Sequence, residues 1–378
     1  MARHSPLSPT EVRARRPVML AGVLLGVSGR VLTEIPTIVE WHRVWLFPRL
    51  ALVLQAINRQ SATTLGEPIL MVLIAVGAVG LFRFGSRAVA PLVLITGLAV
   101  AGFYASWGFA YKYQPLERRL AALTMASSPE DETAELVAIA RRSAQLVARS
   151  YETATQLEVD DATALARVNA SLESGFLRLP AALEAAPVTG VHFGPAKRSR
   201  ISYFLSRLQV SGYFSPWLGE PQIDGEMPRS TWTRVASHER AHQRGFAREN
   251  EATVIGIIAC LSSSDPRTIY AGSVGLFLAL DLEVARVDKD ARREIWKLLP
   301  AGVVDQLKEE GAFWDRFNGV ASDVSEKVND TYLKAQGVQS GTKSYSETTR
   351  LFLQAIQTPS LPLRTLLSQD PAPDLRAK

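Results

Sequence analysis

A single cysteine and five histidines are all that 378 residues offer of the softer metal-binding side chains. With one thiol, Cys260, an internal disulfide framework is excluded, and the redox compartment leaves no mark on the sequence. Cys260 lies in the apolar run TVIGIIACL and reads as a small core residue rather than a nucleophile. There is no glycine-rich phosphate loop, and SSSD at Ser262 reads as a helix exit, with no histidine partner for a nucleophile. The net charge of +5 comes mainly from arginine, without the clustered basic run and interleaved aromatics of a nucleic-acid surface. No nucleic acid is therefore expected among the partners.

What is present is divided unevenly. Hydrophobic residues make up 47% of the chain and charged ones 21%, with most of the apolar excess before residue 110. RPVMLAGVLLGVSGRVLTEIPTIVEW follows Arg13, Arg15 and Arg16 and predicts a membrane span over 17–38, with Arg30 and Glu34 near its far end. A cleaved signal peptide is the other reading of this segment. EPILMVLIAVGAVGLF and AVAPLVLITGLAVAGFYASWGFAY predict two further spans, 67–83 and 88–111, joined as a hairpin by RFGSR. Trp107, Phe109, Tyr111 and Tyr113 read as an interfacial aromatic belt, and WHRVWLFPRLALVLQAINRQ as an amphipathic helix lying at the interface. The arginines of the amino-terminal tail, with Arg83 and Arg87, place those ends in the cytoplasm by the positive-inside rule. Three spans then leave the chain after about Tyr113 outside.

The remainder predicts a mostly helical domain over 114–365, with a disordered tail over 366–378. SSPEDETAELVAIARRSAQLVARSYETATQ combines a serine cap, an early proline and acids with apolar residues at helical spacing. A polar helix follows around Asp160 to Leu177. ISYFLSRLQVSGYFSPWLGEPQIDGEMPRSTW is aromatic, β-branched and broken by glycine and proline, and reads as short strands or turns, the small β element. The fold class expected is mainly α: amino-terminal transmembrane helices, then a mostly helical zincin-like domain.

Two of the five histidines stand four apart in HERAHQRGFARENEA, which begins at His238. A helix puts residues four apart on one face, so His238 and His242 can offer imidazole nitrogens to one metal ion. Glu239 lies beside that face, placed to take a proton from a water at the metal and return it to a leaving amine. A catalytic zinc usually has three protein ligands and one open position. Gly245 is placed to end the helix and turn the chain back, and Glu249 and Glu251 open the next one. Glu249, in the first turn, is the preferred third ligand. With Ala252 it makes a Glu-x-x-Ala pattern similar to the third-ligand helix of several zinc peptidase families. Glu251, roughly on the opposite side, is the alternative ligand or holds an imidazole or a nearby arginine. A solvated first turn favoured by the helix dipole is the plainer reading of both. Tyr213 and Tyr270 are candidate oxyanion or substrate contacts, and His192 a weaker candidate for a fourth ligand. GYFSPWLGEPQID can supply an edge strand for an extended peptide.

The chain resembles the domain-of-unknown-function 3810 family of bacterial membrane proteins, whose core reads approximately HExxHQRGFAxExEA. His238, Glu239, His242, Gly245, Phe246, Glu249, Glu251 and Ala252 match that core, and GYFSPWLGE and GTKSYSETTRLFLQA extend the likeness. Two positions depart: Arg240 stands where the family usually has an aliphatic residue, and Thr253 where it usually has asparagine. The resemblance implies a zinc-dependent peptidase only through its motif. The sequence reading is a multi-pass protein of the bacterial inner membrane, with an extracytoplasmic domain that binds zinc and cuts peptides or proteins of the cell envelope. A catalytically silent, metal-stapled or metal-free binding protein and a zinc amidase acting on cell-wall peptides are the alternatives.

Overall fold

The apolar segments before residue 110 form helices that pack lengthwise through their glycines. The computed structural model describes residues 8–123, 132–156, 163–188, 191–335 and 345–368, which are mainly helical with few strands. They fall into two units. Unit 1 comprises Met1–Tyr113, Ala186–Gly194 and Ser215–Glu220; unit 2 comprises Gln114–Ala185, Pro195–Phe214 and Pro221–Lys378.

In unit 1 the helices are α1 (Pro9–Leu32), α2 (Pro36–Trp41), α3 (Phe47–Asn58), α4 (Gly66–Phe84) and α5 (Val89–Ser106). The first begins earlier than the apolar run, because Ser8 and Glu11 form a capping box: Glu11 N–H donates to Ser8 Oγ and Ser8 N–H to the Glu11 carboxylate. It also ends earlier, so the expected span over 17–38 is not one helix. Pro36 holds Ile35 in an extended conformation, and the pair Pro9–Leu32 and Pro36–Asn58 is bent by 92°. A π-turn, His42–Leu46, joins α2 to α3. α1 and α5 run in the same direction, Gly22 lying against Val93 and Gly97, and Gly29 against Tyr104. A Cβ added to Gly97 would fall 2.0 Å from the Gly22 carbonyl oxygen, so the backbones touch as small residues allow in membrane helices. Chain reversal between α4 and α5 uses Gly85 at φ +51°.

Gly66–Ser106 is long and apolar enough to cross a membrane, and its most apolar window is not buried at all; the bent pair adds one further candidate span. The aromatic cluster after α5 is not a belt. Trp107, Phe109, Tyr111 and Tyr113 are all buried, because a 3-10 turn over Gly108–Lys112 folds them inward. Phe109 stacks on His42 at 4.4 Å between centroids, and the His42 imidazole meets the Tyr113 hydroxyl and the Ala105 carbonyl, each at 2.7 Å.

Unit 2 contains α6 (Leu116–Ala121), α7 (Glu132–Thr155), α8 (Ala164–Phe176), α9 (Ser202–Arg207), α10 (Arg229–Gln243), α11 (Glu249–Leu261), α12 (Pro266–Val287), α13 (Lys289–Trp296), α14 (Ala301–Asp315), α15 (Val320–Ala335), α16 (Tyr345–Gln357) and α17 (Pro362–Ser368). α11 is apolar on every side after its first turn and is accordingly buried, packed by α8, α10, α12, α16 and α17. α12 also passes the length and composition test for a span, but most of its apolar window is buried in unit 2, where α7 and α11 cover it. The β element is three short strands, β1 (Lys197–Arg198), β2 (Gly212–Ser215) and β3 (Glu220–Ile223), in the order β1-β3-β2, with β1 and β3 parallel. Two expectations are corrected. Residues 202–207 are helical rather than extended, since Ser202 and Ser206 turn inward and their hydroxyls bond to Ser199 O and Asp224. Residues 366–368, expected in the tail, belong to α17, which runs to Ser368; the rest of the expected tail lies outside the described residues. The predicted serine cap before α7 and the GTK turn before α16 lie outside the described residues.

The loop of the β2–β3 hairpin belongs to unit 1, and polar bonds hold it there. Gly219 O accepts from Gln55 Nε2 at 3.0 Å and Asn58 Nδ2 at 3.1 Å, and Ala99 O accepts from the Trp217 indole at 2.9 Å. The fully buried Glu220 carboxylate accepts from the backbone N–H groups of Leu65 and Gly66, at 3.1 and 2.9 Å, where α4 begins. It thus accepts from two donors that the helix itself cannot satisfy and meets the positive end of the helix dipole. Glu220→Ala is expected to lower the stability of unit 1 by about 2–4 kcal/mol, with Glu220→Gln losing less because one acceptor oxygen stays. Thermal unfolding of the detergent-solubilised variants measures both.

Candidate metal centre

α10 presents His238 and His242 on one face, and its end decides how the second imidazole is held. Gly245, at φ +92°, closes the helix with Phe246 N–H donating to Ala241 O and Gly245 N–H to His242 O, a Schellman arrangement that needs a residue at positive φ. The turn swings the Phe246 carbonyl over His242, where it accepts from Nδ1 at 2.7 Å. His238 Nδ1 meets the Thr253 hydroxyl of α11 at 3.1 Å. With each Nδ1 as donor, both Nε2 lone pairs face the same point.

That point is occupied from α11. Glu249 Oε2 lies 3.0 Å from His238 Nε2 and 3.5 Å from His242 Nε2, and the imidazole rings stand perpendicular with centroids 4.7 Å apart. The ligand atoms of His238, His242 and Glu249 all fall within 4.8 Å of one another. Zinc bonded to nitrogen and oxygen at roughly 2.0–2.2 Å sets tetrahedral donors roughly 3.3–3.6 Å apart, so this donor set fits. The approach of α11 to α10 depends on Gly256: a Cβ there would lie 2.8 Å from the Ser237 carbonyl carbon. Among the described residues the cluster has three members, one short of a closed structural zinc site.

Glu239 is buried beside this group. Burial raises its carboxyl above the ordinary value, the two imidazoles oppose that, and Glu249 adds to it. Burial also opposes a charge on His242, but the Glu249 carboxylate outweighs it and lifts the imidazole to about 9. Burial likewise works against charge on Glu249, and His242 and His238 together override it and hold its carboxyl far below the usual range. The edge strand β2 passes over Glu239, with Gly212 so close that a Cβ would lie 3.0 Å from Glu239 Cγ.

The other expected site residues lie elsewhere. Glu251 is buried and turned away: its carboxylate accepts from Leu116 N–H at 2.9 Å, Arg248 at 2.9 Å and Arg119 at 3.4 Å. It braces α6 and the start of α11 and is not available as a ligand. Tyr213 donates to the Gln222 side chain at 2.8 Å, and its side chain leaves β2 on the face opposite Gly212. Tyr270 donates to Gln306 at 2.6 Å and lines a cavity of about 400 Å³ whose walls include none of His238, Glu239, His242 and Glu249. His192 belongs to unit 1, whereas the cluster lies in unit 2. Cys260 is fully buried, its thiol pushed up to about 12 by burial, as a packing residue should be.

Residues 46–353 match the family described as "Protein of unknown function (DUF3810)". The chain belongs to this family. No curated protein and no solved structure matches it. The DUF3810 region takes in α3 to α5, the hairpin loop with Glu220, the whole cluster and most of α16. Thr253 and Arg240, the two residues expected to depart from the family's core, each have a partner in this DUF3810 chain. Thr253 supplies through its hydroxyl the bond to His238 Nδ1, so a shorter polar side chain still reaches. Arg240, two residues along the helix from each histidine, points to the other side of α10. There its buried guanidinium pairs with Glu173 of α8 and donates to Asn169 O at 2.6 Å. Burial, with Arg244 beside it, lowers Arg240 to about 9 against the pull of Glu173. Neither Glu173 nor the Phe246 carbonyl was legible as a partner beforehand. Backbone acceptors carry no sequence signal, and Glu173 lies 67 positions from Arg240.

The two glutamates of the first turn of α11 should separate cleanly. Glu251→Ala removes the carboxylate from the buried Arg119, which keeps the Leu183 carbonyl, and is expected to cost about 3–5 kcal/mol in thermal unfolding. Glu249→Ala, at a half-exposed carboxylate, is expected to cost roughly 1 kcal/mol or less while abolishing zinc uptake. Thr253→Val should keep the fold and weaken zinc binding about tenfold or more, with Thr253→Ser near the parent, by competition with a zinc-chelating dye. Any cation added between the imidazoles must displace the His242 proton, so zinc affinity measured by that competition should rise from pH 6 to pH 9.

Proposed function

We propose that this chain is a membrane-anchored, zinc-dependent metallopeptidase with a zincin-like domain. The observation that carries the reading is the convergence of His238, His242 and Glu249, with a buried Glu239 on the same helix. His238 and His242 would hold zinc through Nε2 and Glu249 through a carboxylate oxygen. Zinc supplies Lewis acidity that makes water a nucleophile near neutral pH and polarises a carbonyl. Glu239 takes the proton of the attacking water and delivers it to the departing nitrogen. A raised pKa suits both halves of that exchange, since base and acid forms must alternate near the working pH. The Phe246 carbonyl and Thr253 hydroxyl keep the imidazoles oriented throughout. β2, an edge strand lying over Glu239, offers backbone groups to an extended peptide.

Anchoring follows from unit 1. The start of α1 and the α4–α5 turn share one end, where Glu11 pairs with Arg87 at 3.3 Å. Arg13, Arg15, Arg16 and Arg83 gather at that end of the helices, which the positive-inside rule assigns to the cytoplasm. The chain beyond Tyr113 then works on the outer side of a bacterial inner membrane, on peptide or protein substrates of the envelope. Three ligands rather than four among the described residues favour an open catalytic position over a zinc staple.

Metal analysis of the detergent-purified chain tests the site: one zinc per chain, lost in His238→Ala and kept in Glu239→Gln. Hydrolysis of a quenched fluorescent peptide library is expected to fall about 10²–10⁴-fold in Glu239→Gln. Zinc absent from the well-folded parent after loading would overturn the proposal. So would zinc-loaded parent and Glu239→Gln proteins that turn over at the same rate.

A further inference from the structure

α9 is built inside out. Its inward residues are Ser202, Leu205 and Ser206, and the two serines spend their hydroxyls on Ser199 O and Asp224. Its outward residues include Tyr203, 57% exposed, and Phe204, 61% exposed, with Leu208 just beyond the helix 40% exposed. An aqueous surface would favour the reverse, and contiguous exposed apolar side chains mark an interaction face. Arg207 completes the face, its guanidinium stacked 3.6 Å from the Tyr203 ring centroid.

Charge on this part of the chain has one sign. No acid occurs between Glu184 and Glu220, whereas the exposed Arg198, Arg200 and Arg207 fall within that interval and Lys197 is buried. The turn beyond α14 brings Phe317 to 5.9 Å from Arg207 and adds Arg316, while Asp315 there accepts from Asn318 at 3.3 Å. Aromatic and aliphatic side chains beside arginines, with no acid in the interval 185–219 itself, are the composition of an interfacial membrane contact. Chain continuity points the same way. The same acid-free interval runs on to Trp217, whose indole donates to Ala99 O midway along the apolar helix α5. The interval therefore reaches, within unit 1, a helix of the stretch apolar enough to cross a bilayer.

We propose that the exposed face of α9 docks on an anionic phospholipid surface, with Tyr203, Phe204 and Leu208 in the headgroup–acyl boundary and Arg207 on lipid phosphate. The inference is independent of the peptidase reading and holds whether or not zinc binds.

The test uses the full chain in lipid nanodiscs. Cys260 is fully buried, so Phe204→Cys and, as a reference, Leu177→Cys (75% exposed, also in unit 2) each give one labelling site for an environment-sensitive fluorophore. Brominated phospholipids are expected to quench the label at position 204 roughly threefold more than at 177, with aqueous iodide showing the opposite order. Replacing phosphatidylglycerol by phosphatidylcholine, or introducing Arg207→Glu, should weaken the lipid quenching at 204. Labels at 204 and 177 that respond alike to both quenchers would overturn the proposal. So would a label at 204 shielded from iodide but untouched by brominated lipid, which would mean that a protein surface covers the face. Leu208→Cys repeats the reading if Phe204→Cys fails to fold.

Discussion

One carboxylate oxygen of Glu249, held between the Nε2 atoms of His238 and His242, is the contact on which the candidate centre depends. Two imidazoles facing one point repel any shared protonation, and a carboxylate at that point resolves the conflict whether a proton or a cation is shared. Its effect reaches backward into the fold. α10 must stop at Gln243, Gly245 must take the left-handed conformation, and Gly256 must let α11 approach Ser237 closely. The fifteen residues of the motif and Gly256 beyond them are therefore one mechanical unit, in which the two glycines set the geometry and the acids and histidines use it.

Around that unit the buried charges are sorted by sign. Glu251 sits with Arg119 and Arg248 on one side, and Glu173 with Arg240 and Arg244 on another, while Glu249 alone faces the histidines. Burying a lone charge is costly, and Glu251, Glu173 and Glu220 each have committed cations or helix donors. This sorting separates Glu249 from Glu251 although both stand in the first turn of one helix. The carboxylate left to the imidazoles is the one with no arginine of its own in the ion-pair network.

Unit 1 meets a different requirement, that of holding helices together that are apolar on nearly every side. Close backbone contact between Gly22 and Gly97 serves that end, and Glu220 closes the polar end of α4 from a hairpin loop distant in sequence. The GYFSPWLGE stretch thus has a structural reason beside any functional one. Gly212 faces Glu239, Trp217 and Gly219 anchor the loop, and Glu220 caps a helix.

Much of this could be read from residue order alone. Apolar run length located α4 and α5, and the four-residue histidine spacing located the helix face that carries both imidazoles, because both follow from helix geometry within a few turns. Glycine after the second histidine predicted the turn, and first-turn position favoured Glu249 over Glu251. Other features depended on neighbours that sequence does not reveal. The proline break at Pro36 and the Ser8 cap shifted the first helix away from the hydropathy run. The aromatic cluster turned inward because a 3-10 turn and the buried His42 gave it a partner more favourable than an interface. Residues 202–207 became a helix because two serines found acceptors inside the unit. Periodicity and spacing determine what a segment can do locally; which face is buried, and which acid meets which base, is decided by contacts between residues far apart in the chain.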